Sequence, residues 1–247
     1  MTVASGMRYQ RFLDSVHARH RFEWYLEIGA RRGRTFRATR SRTIAVDPYF
    51  RLGQDPLGTK GELHLFQSTS DAFFESGFLE RNGIAVSMAF LDGMHLFEFL
   101  LRDFANTERA ATPGSIIALH DCYPSNTEMT TRDLDNLPNG PWTGDVWKLV
   151  PILAEYRPDL KLTALDCRPS GLLLVSRLDP ENRSLTEHYD EIVARFGGLE
   201  IGEYGLERLY TVSPMISARA LLREGPDPFA AVPMDTRTEM PLEPVTP

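Results

Sequence analysis

Short apolar runs alternate along the chain with segments in which apolar residues recur every three or four positions. The runs with a strand pattern are 24–29, 43–46, 63–66, 87–91 and 115–119. The segments with helical spacing are 71–80, 97–109, 146–156 and 185–196. Short apolar strands that alternate with amphipathic helices predict a parallel sheet with helices on both faces.

The last two apolar runs are not separated by a segment with helical spacing. Segments 161–165 and 171–175 are separated by a short polar connection that contains Pro169 and Ser170, which leaves no room for a helix. A tight connection favours an antiparallel pair. The chain therefore predicts an α/β fold with a Rossmann-like, doubly wound sheet that is mostly parallel and ends in an antiparallel C-terminal hairpin.

Three regions follow from this pattern. Residues 1–21 form a polar N-terminal helical segment, residues 22–222 form the α/β domain, and residues 223–247 form a proline-rich tail that is expected to be flexible. A group of arginines follows the first apolar run: Arg31, Arg32, Arg34, Arg37, Arg40 and Arg42. These side chains could steer an anionic ligand, and the simpler interpretation is the solvated face of a helix after the first strand.

Composition excludes several classes of protein. The formal net charge of −7 disfavours a general nucleic-acid binder, and no apolar stretch approaches the ~20 residues that span a bilayer. The first residues lack the apolar run of a signal peptide, and the two cysteines, Cys122 and Cys167, are expected to be buried free thiols. We expect a cytoplasmic protein with no membrane or nucleic-acid partner; whether it forms a homo-oligomer is left open.

Ligands of open α/β sheets bind beyond the carboxyl ends of the strands, so the residues there are the candidates. Glu27, Gly29 and Gly33 follow the first run, where glycines permit a sharp turn and close approach of a ligand. Asp47 ends the second run and is placed to accept hydrogen bonds from both hydroxyls of a ribose. The alternatives are a packing glycine and a turn-initiating Asp-Pro pair.

This pattern resembles class I S-adenosylmethionine-dependent methyltransferases from Tyr25 to Val175. The resemblance implies that S-adenosylmethionine is the cofactor, and it assigns these residues to the cofactor site: Glu27, Gly29, Gly33, Asp47, Ser68 and Asp71. The middle glycine of the usual loop is replaced by Arg31, as in branches written E-x-G-x-x-x-G.

The fourth and fifth runs end in a second group of polar residues. Adjacent parallel strands bring Asp92, His95, His120 and Asp121 to one edge of the sheet. Carboxylates with nearby imidazoles suit a divalent cation, which could orient a substrate hydroxyl and lower its pKa. Each residue alone has an ordinary explanation, because Asp-Gly is a common turn and a lone histidine is usually only hydrogen-bonded.

The stretches FLDGMHLFEFLLRDF and TPGSIIALHDCYP resemble a metal-dependent O-methyltransferase branch that includes the mycinamicin and macrocin O-methyltransferases. The resemblance implies that Asp92 and Asp121 bind magnesium and that His95 is the base, with Asp92 beside it in the catalytic site. His120 stands where these relatives usually carry an acid. We include it as a candidate ligand; it would shift the preference from magnesium towards manganese, iron or zinc, or would contact substrate without a metal.

The stretch WTGDVWK follows a polar loop after the fifth strand. Candidate substrate contacts in it are Trp142, Asp145, Trp147 and Lys148. The alternative is a helix start with both tryptophans in the core. The stretch resembles a W-x-G-D-V-W-K signature of bacterial members of the same methyltransferase group.

Together these features predict O-methylation of a small-molecule hydroxyl by S-adenosylmethionine, assisted by a divalent metal (magnesium or manganese) and a histidine base. Two other functions are compatible with the sequence. An NAD-dependent oxidoreductase would use the glycine loop and Asp47, although the G-x-G-x-x-G spacing is missing. A non-catalytic, metabolite-binding member of the fold would explain Arg31 and His120.

Overall fold

Seven strands form a single mixed sheet in the computed structural model, which describes residues 4–53 and 55–237. The strands are β1 (Trp24–Ile28), β2 (Arg42–Val46), β3 (Leu63–Phe66), β4 (Val86–Leu91), β5 (Ala111–His120), β6 (Lys161–Leu165) and β7 (Leu172–Ser176). Their order across the sheet is β3-β2-β1-β4-β5-β7-β6. Strands β1 to β5 pair in parallel, and β7 lies antiparallel between β5 and β6. The predicted doubly wound sheet with an antiparallel pair is confirmed.

The helices of the described residues are α1 (Tyr9–Arg19), α2 (Ser70–Glu75), α3 (Phe78–Arg81), α4 (Phe97–Arg109), α5 (Leu149–Tyr156), α6 (Ser184–Glu187), α7 (Tyr189–Phe196), α8 (Ile201–Tyr204), α9 (Leu206–Val212) and α10 (Ala218–Arg223). Helix α4 buries the side chains that its spacing predicts, Phe97, Leu100, Leu101 and Phe104. The segment predicted as one helix over 71–80 is two, because Gly77 lies between α2 and α3 with a φ of 63°. No helix of the described residues is long and apolar enough to cross a membrane.

The arginine-rich stretch after β1 is not a helix, contrary to the expectation. Between Gly29 and Ser41 the only helical element is a 3-10 turn, Phe36–Ala38. Gly29 and Gly33 adopt φ values of 84° and 67°, which lie outside the helical region. The arginines of this stretch also lack apolar neighbours at helical spacing, so no buried face would stabilise a helix.

The sheet buries apolar residues on both faces. Alternate residues of β1 and β4 divide between two cores: Leu26 and Ala89 join the core beneath α4 and α5, whereas Tyr25 and Phe90 join the core beneath α1. Because both faces are covered, β4 is buried along its whole length. The carboxyl edge of the sheet is left as the place where polar side chains collect.

Both ends of the described chain pack on the α1 side. Helix α1 buries Phe12, Leu13 and Val16. After α10 the chain crosses this core, with Phe229 and Val232 buried, and the Pro233 carbonyl accepts the Glu23 N–H at 3.0 Å. Residues 223–237 of the proline-rich tail thus contact the domain through buried apolar side chains and backbone hydrogen bonds, and the flexibility of the tail stays a prediction. Residues 238–247 lie outside the described part of the chain.

Candidate active site

Gly29 lies where the chain after β4 passes close to the end of β1. The Asp92 N–H donates to the Ile28 carbonyl at 2.9 Å, which holds the chain after β4 against the end of β1. A Cβ at Gly29 would overlap the backbone oxygen of Asp92. The glycine is therefore required for the position of Asp92 as well as for its own φ of 84°.

Asp47 follows β2 and is only 7% exposed. Its two carboxylate oxygens accept backbone N–H groups, Oδ2 from Arg31 at 2.9 Å and Oδ1 from Tyr49 at 2.7 Å. Each carboxylate oxygen has a second lone pair, so the side chain can still accept from two ligand hydroxyls. The carboxylate both holds the turn and remains suited to a ribose.

Glu27 is fully buried on the sheet face that it shares with Tyr25. Its carboxyl accepts hydrogen bonds from the Tyr25 hydroxyl at 2.8 Å and from the Thr35 hydroxyl. Burial raises the pKa of Glu27 to about 8, against the opposing effect of the two hydroxyl donors. A positively charged group brought to this edge would stabilise the ionised form.

Ser68 Oγ and Asp103 Oδ1 are among the buried polar atoms that have no hydrogen-bond partner in the described residues. Asp103 is 1% exposed, and its Oδ2 would be 3.4 Å from a Cβ built on Gly93, just beyond the end of β4. Burial raises the pKa of Asp103 to about 7, partly offset by a hydrogen bond from Ser70. Unpartnered buried polar atoms are costly unless a ligand satisfies them, and a nucleobase offers suitable donors and acceptors. The residues between β2, β3 and β4 therefore fit an adenosine group.

Asp103 is a candidate that the sequence analysis did not identify. The sequence feature that could have identified it is an acidic residue between Leu100 and Phe104, on the buried side of α4. Asp71, which the sequence assigns to the cofactor, is instead paired with Arg102, whose Nε and Nη2 donate at 2.8 and 2.7 Å.

Asp92, His95 and Asp121 come together at the ends of β4 and β5. Each offers one ligand atom, and the three atoms lie within 4.8 Å of one another. The Nε2 atom of His95 is 3.5 Å from Asp92 Oδ1 and 3.4 Å from Asp121 Oδ2. Two carboxylates and an imidazole in this arrangement suit a divalent cation of borderline hardness.

His120 lies deeper and bridges the same carboxylates. Its Nδ1 is 3.0 Å from Asp92 Oδ1 and 3.2 Å from Asp121 Oδ1, whereas its Nε2 is buried without a partner among the described residues. Burial opposes the charged form, but the carboxylates of Asp121 and Asp92 raise the pKa of His120 to about 10. The protonated imidazole thus neutralises part of the acidic cluster. The structure groups His95, rather than His120, with the two acids as a possible ligand set.

The first turn of α1 covers this cluster. The Tyr9 ring lies 3.9 Å from the His120 ring, centroid to centroid. Burial, together with the charges of Asp92 and Asp121, raises the pKa of the Tyr9 hydroxyl well above its usual range. Tyr9 was not predicted as a site residue, because nothing in its local sequence indicates that α1 packs across the ends of β4 and β5.

Trp142 lies over His95 as part of the loop after β5. Their rings are 4.8 Å apart, and His95 Nδ1 is 2.9 Å from the Trp142 carbonyl oxygen. A carbonyl only accepts, so Nδ1 carries the proton and the neutral imidazole has its free lone pair on Nε2. That lone pair is on the side of Asp92 and Asp121.

The other predicted substrate contacts in WTGDVWK are internal. Trp147 is fully buried and packs on Tyr204. Lys148 is 1% exposed and donates to Asp145 Oδ2 at 2.7 Å, and Asp145 is itself 2% exposed. Asp145 and Lys148 satisfy each other, and Trp147 is buried with its Nε1 unpartnered among the described residues, so none of the three lines the cavity and only Trp142 of this stretch does.

A cavity of about 630 Å³ opens beside the acidic cluster. The residues that line it include Arg8, Tyr9 and Arg168 as well as those of the acidic cluster and its surroundings: Asp92, His95, His120, Asp121 and Trp142. A space of this size accommodates a small molecule. The cavity adjoins the strand ends that fit a nucleoside, so two ligands could meet at Asp92.

Comparison with solved structures supports the fold. The O-methyltransferase TomG from Streptomyces achromogenes, solved in complex with SAM, matches at 16% identity and a TM-score of 0.50, over 68% of this chain and 78% of that one. The cofactor-bound Rv0187 from MTB matches at 16% identity and a TM-score of 0.50, over 70% and 80%. The chain has the class I methyltransferase fold.

MycE, a methyltransferase of the mycinamycin pathway solved with Mg and SAH, matches at 13% identity and a TM-score of 0.46, over 70% of this chain and 49% of that one. No family model and no curated protein matches the sequence. Placement in the macrolide-sugar branch therefore depends on the sequence motifs around Asp92, His95 and Asp121.

Proposed function

We propose that this protein transfers a methyl group from S-adenosylmethionine to a hydroxyl group of a small molecule, with the help of a divalent cation. The observation that carries the proposal is the convergence, at one edge of a class I methyltransferase sheet, of a nucleoside-fitting region with the cluster of Asp92, His95 and Asp121.

The cofactor would lie across the ends of β1, β2 and β4. Asp47 would accept the ribose hydroxyls, and Ser68 and Asp103 would pair with the adenine through their unpartnered oxygens. The open backbone at Gly29 and Gly33 would admit the amino-acid portion, whose ammonium group would favour the ionised form of the buried Glu27.

His95 would serve as the base. Its Nδ1–H is held by the Trp142 carbonyl, so its basic Nε2 faces the cavity wall where Asp92 and Asp121 converge. The carboxylates raise the pKa of His95 even though burial opposes the charge. An imidazole that is stabilised in its protonated form is suited to receive the hydroxyl proton as the oxygen attacks the methyl carbon.

Asp92 and Asp121 would hold the cation, and His95 would remain the base, because its single lone pair on Nε2 cannot bind a cation and accept a proton at the same time. A bound divalent cation would position the acceptor oxygen and lower its pKa. Protonated His120 reduces the negative charge of the carboxylates, so we expect weaker binding than at an all-acid site, for magnesium or manganese alike.

The proposal is tested by calorimetric titration of the metal-stripped protein with S-adenosylhomocysteine, repeated with magnesium and with manganese. We expect micromolar binding that Asp47→Ala abolishes, and a metal-dependent heat that Asp121→Asn abolishes without loss of S-adenosylhomocysteine binding. Asp133→Asn, a change at an exposed acid of the same loop as Trp142, is the control. Binding of NAD without binding of S-adenosylhomocysteine would reject the proposal in favour of an oxidoreductase.

A further inference from the structure

We propose that the acceptor molecule carries a carboxylate or phosphate group, which Arg8 and Arg168 bind at the part of the cavity wall that they form. This inference rests on the proposed methyl transfer, because it names the substrate class of the same site. It concerns two side chains that neither the cofactor nor the metal cluster uses.

The two arginines are held side by side by the backbone. Arg8 and Arg168 form a parallel β-bridge. The Arg168 N–H donates to the Met7 carbonyl at 2.9 Å, and the Tyr9 N–H donates to the Arg168 carbonyl at 3.2 Å. A third hydrogen bond, from Gly6 N–H to the Asp166 carbonyl at 2.7 Å, extends the pairing. The positions of the two guanidinium-bearing residues are thus set by the fold.

Neither arginine has an ion-pair partner within residues 4–53 and 55–237. Both side chains are exposed and line the cavity. Other arginines of this acidic protein do find carboxylates; Arg102 binds Asp71 and Arg157 binds Glu108. Helix α1 has no acidic residue in its first turn, the part of the helix next to Arg8.

The acids that share the cavity are already engaged. His120 bridges Asp92 and Asp121, which would also hold the cation. Asp166, two residues before Arg168, accepts the Ala218 N–H at 2.8 Å. The cavity therefore has one wall whose positive charge is not matched by the protein.

Guanidinium groups bind carboxylates and phosphates through paired hydrogen bonds with matched planar geometry. Two adjacent arginines in the lining of a 630 Å³ cavity would anchor an oxyanion while the acceptor hydroxyl reaches His95, which lines the same cavity. The acceptor class that fits is a hydroxylated acid or a phosphorylated alcohol. A neutral sugar or phenol would leave the arginine wall without a partner.

The test compares anionic and neutral hydroxyl compounds in matched pairs. The carboxylate pair is 3,4-dihydroxybenzoate and its methyl ester, and the phosphate pair is glucose 6-phosphate and glucose. Binding of each compound to the full chain is measured by calorimetry at constant ionic strength, with and without S-adenosylhomocysteine and magnesium. We expect at least one anion to bind tenfold or more tightly than its neutral counterpart, and the pair that shows this preference identifies the oxyanion.

Arg8→Gln and Arg168→Gln are each expected to reduce that preference at least fivefold. Arg11→Gln, an exposed arginine of the same helix that does not line the cavity, is the matched control and should leave it unchanged. Binding of S-adenosylhomocysteine should be unaffected in all three variants.

The outcomes separate the two proposals. Binding of S-adenosylhomocysteine without any preference for an anion that depends on Arg8 or Arg168 overturns this inference and leaves the methyltransferase intact. An arginine-dependent preference in a protein that does not bind S-adenosylhomocysteine supports the anion site and rejects methyl transfer. A preference that Arg11→Gln reduces equally is due to general charge and also overturns the inference.

Discussion

The backbone N–H of Asp145 donates to the carbonyl oxygen of His95 at 3.2 Å. In addition, Asp145 Oδ1 accepts the Phe97 N–H at 2.9 Å, so one buried acid holds the backbone on both sides of residue 96. Lys148 donates to the other carboxylate oxygen at 2.7 Å. The WTGDVWK stretch therefore acts on the site by fixing the segment that carries the proposed base.

Replacement of Asp145 should both destabilise the protein and disturb His95. In Asp145→Ala, the buried ammonium of Lys148 loses its carboxylate, and loss of one member of a buried ion pair costs about 3–5 kcal/mol. We expect a loss of this size in the free energy of unfolding, measured by denaturant titration. The backbone bond from residue 145 to His95 is possible in either variant, but only Lys148→Met keeps the carboxylate that accepts the Phe97 N–H, so it should retain more of the metal response. Equal loss of that response in both variants would contradict the positioning role.

Gly29→Ala should abolish cofactor binding. The added Cβ would overlap the Asp92 backbone oxygen, and alanine is strained at a φ of 84°. We expect loss of S-adenosylhomocysteine binding in calorimetry and a lower melting temperature. Gly202→Ala, where an added Cβ meets no atom within 4 Å, is the control and should behave as the unchanged protein. Normal binding by Gly29→Ala would show that the strand ends can separate without cost.

Glu27 should make the folded state less stable as pH rises. Its pKa is about 8 in the folded protein and near 4.5 when unperturbed, so between these values the folded state binds more protons than the unfolded state. The contribution to stability is fully present below pH ~4.5 and is lost as pH rises through about 8, with a slope of at most about 1.4 kcal/mol per pH unit. Glu27→Gln should flatten the decline in unfolding free energy between pH 5 and 8. The exposed change Glu203→Gln should leave the slope as it is, and identical slopes for the two variants would reject a buried, protonated Glu27.

Asp103 should lower the stability of the folded protein at high pH while it contributes to cofactor binding. Its buried carboxyl has a pKa of about 7, so ionisation above that pH disfavours the folded state. We expect Asp103→Asn to be at least as stable as the unchanged protein at pH 8 and to bind S-adenosylhomocysteine about tenfold more weakly, since one charged acceptor is lost. Thermal melting and calorimetry provide the two measurements. Unchanged affinity would place the adenine elsewhere.

The strand ends explain why so much of this site could be predicted. Parallel strands deliver the residues that follow them to one edge, so Asp47, Asp92 and Asp121 were placed together from the order of apolar runs alone. The choice of a histidine ligand for the metal is not predicted in this way, because the distinction between His95 and His120 depends on side-chain rotamers. Both follow strand ends, and both place a ring nitrogen near Asp92 and Asp121, Nε2 in His95 and Nδ1 in His120, so the order of apolar runs does not rank them as ligands.

Residues that tertiary packing brings to the site from distant parts of the sequence cannot be predicted from the pattern of apolar runs. Tyr9 reaches His120 only because α1 crosses the sheet, a contact between positions 111 residues apart in the chain. The sequence leaves Trp147 between a substrate contact and a core position, because an aromatic residue near a polar motif suits both equally well. Burial decides between the two, and it depends on the packing of Trp147 against Tyr204.

The arginine wall and the nucleoside edge come from separate parts of the chain. Residues 6–9 and 166–168 build the wall through their backbone pairing, whereas β1, β2 and β4 supply the groups that would face the cofactor. Neither stretch of the wall contributes to the strands that position Asp47 or Gly29. Acceptor preference can therefore diverge during evolution, or be transplanted between relatives in a chimaera, by exchange of two short segments while the methyl-donor half stays unchanged.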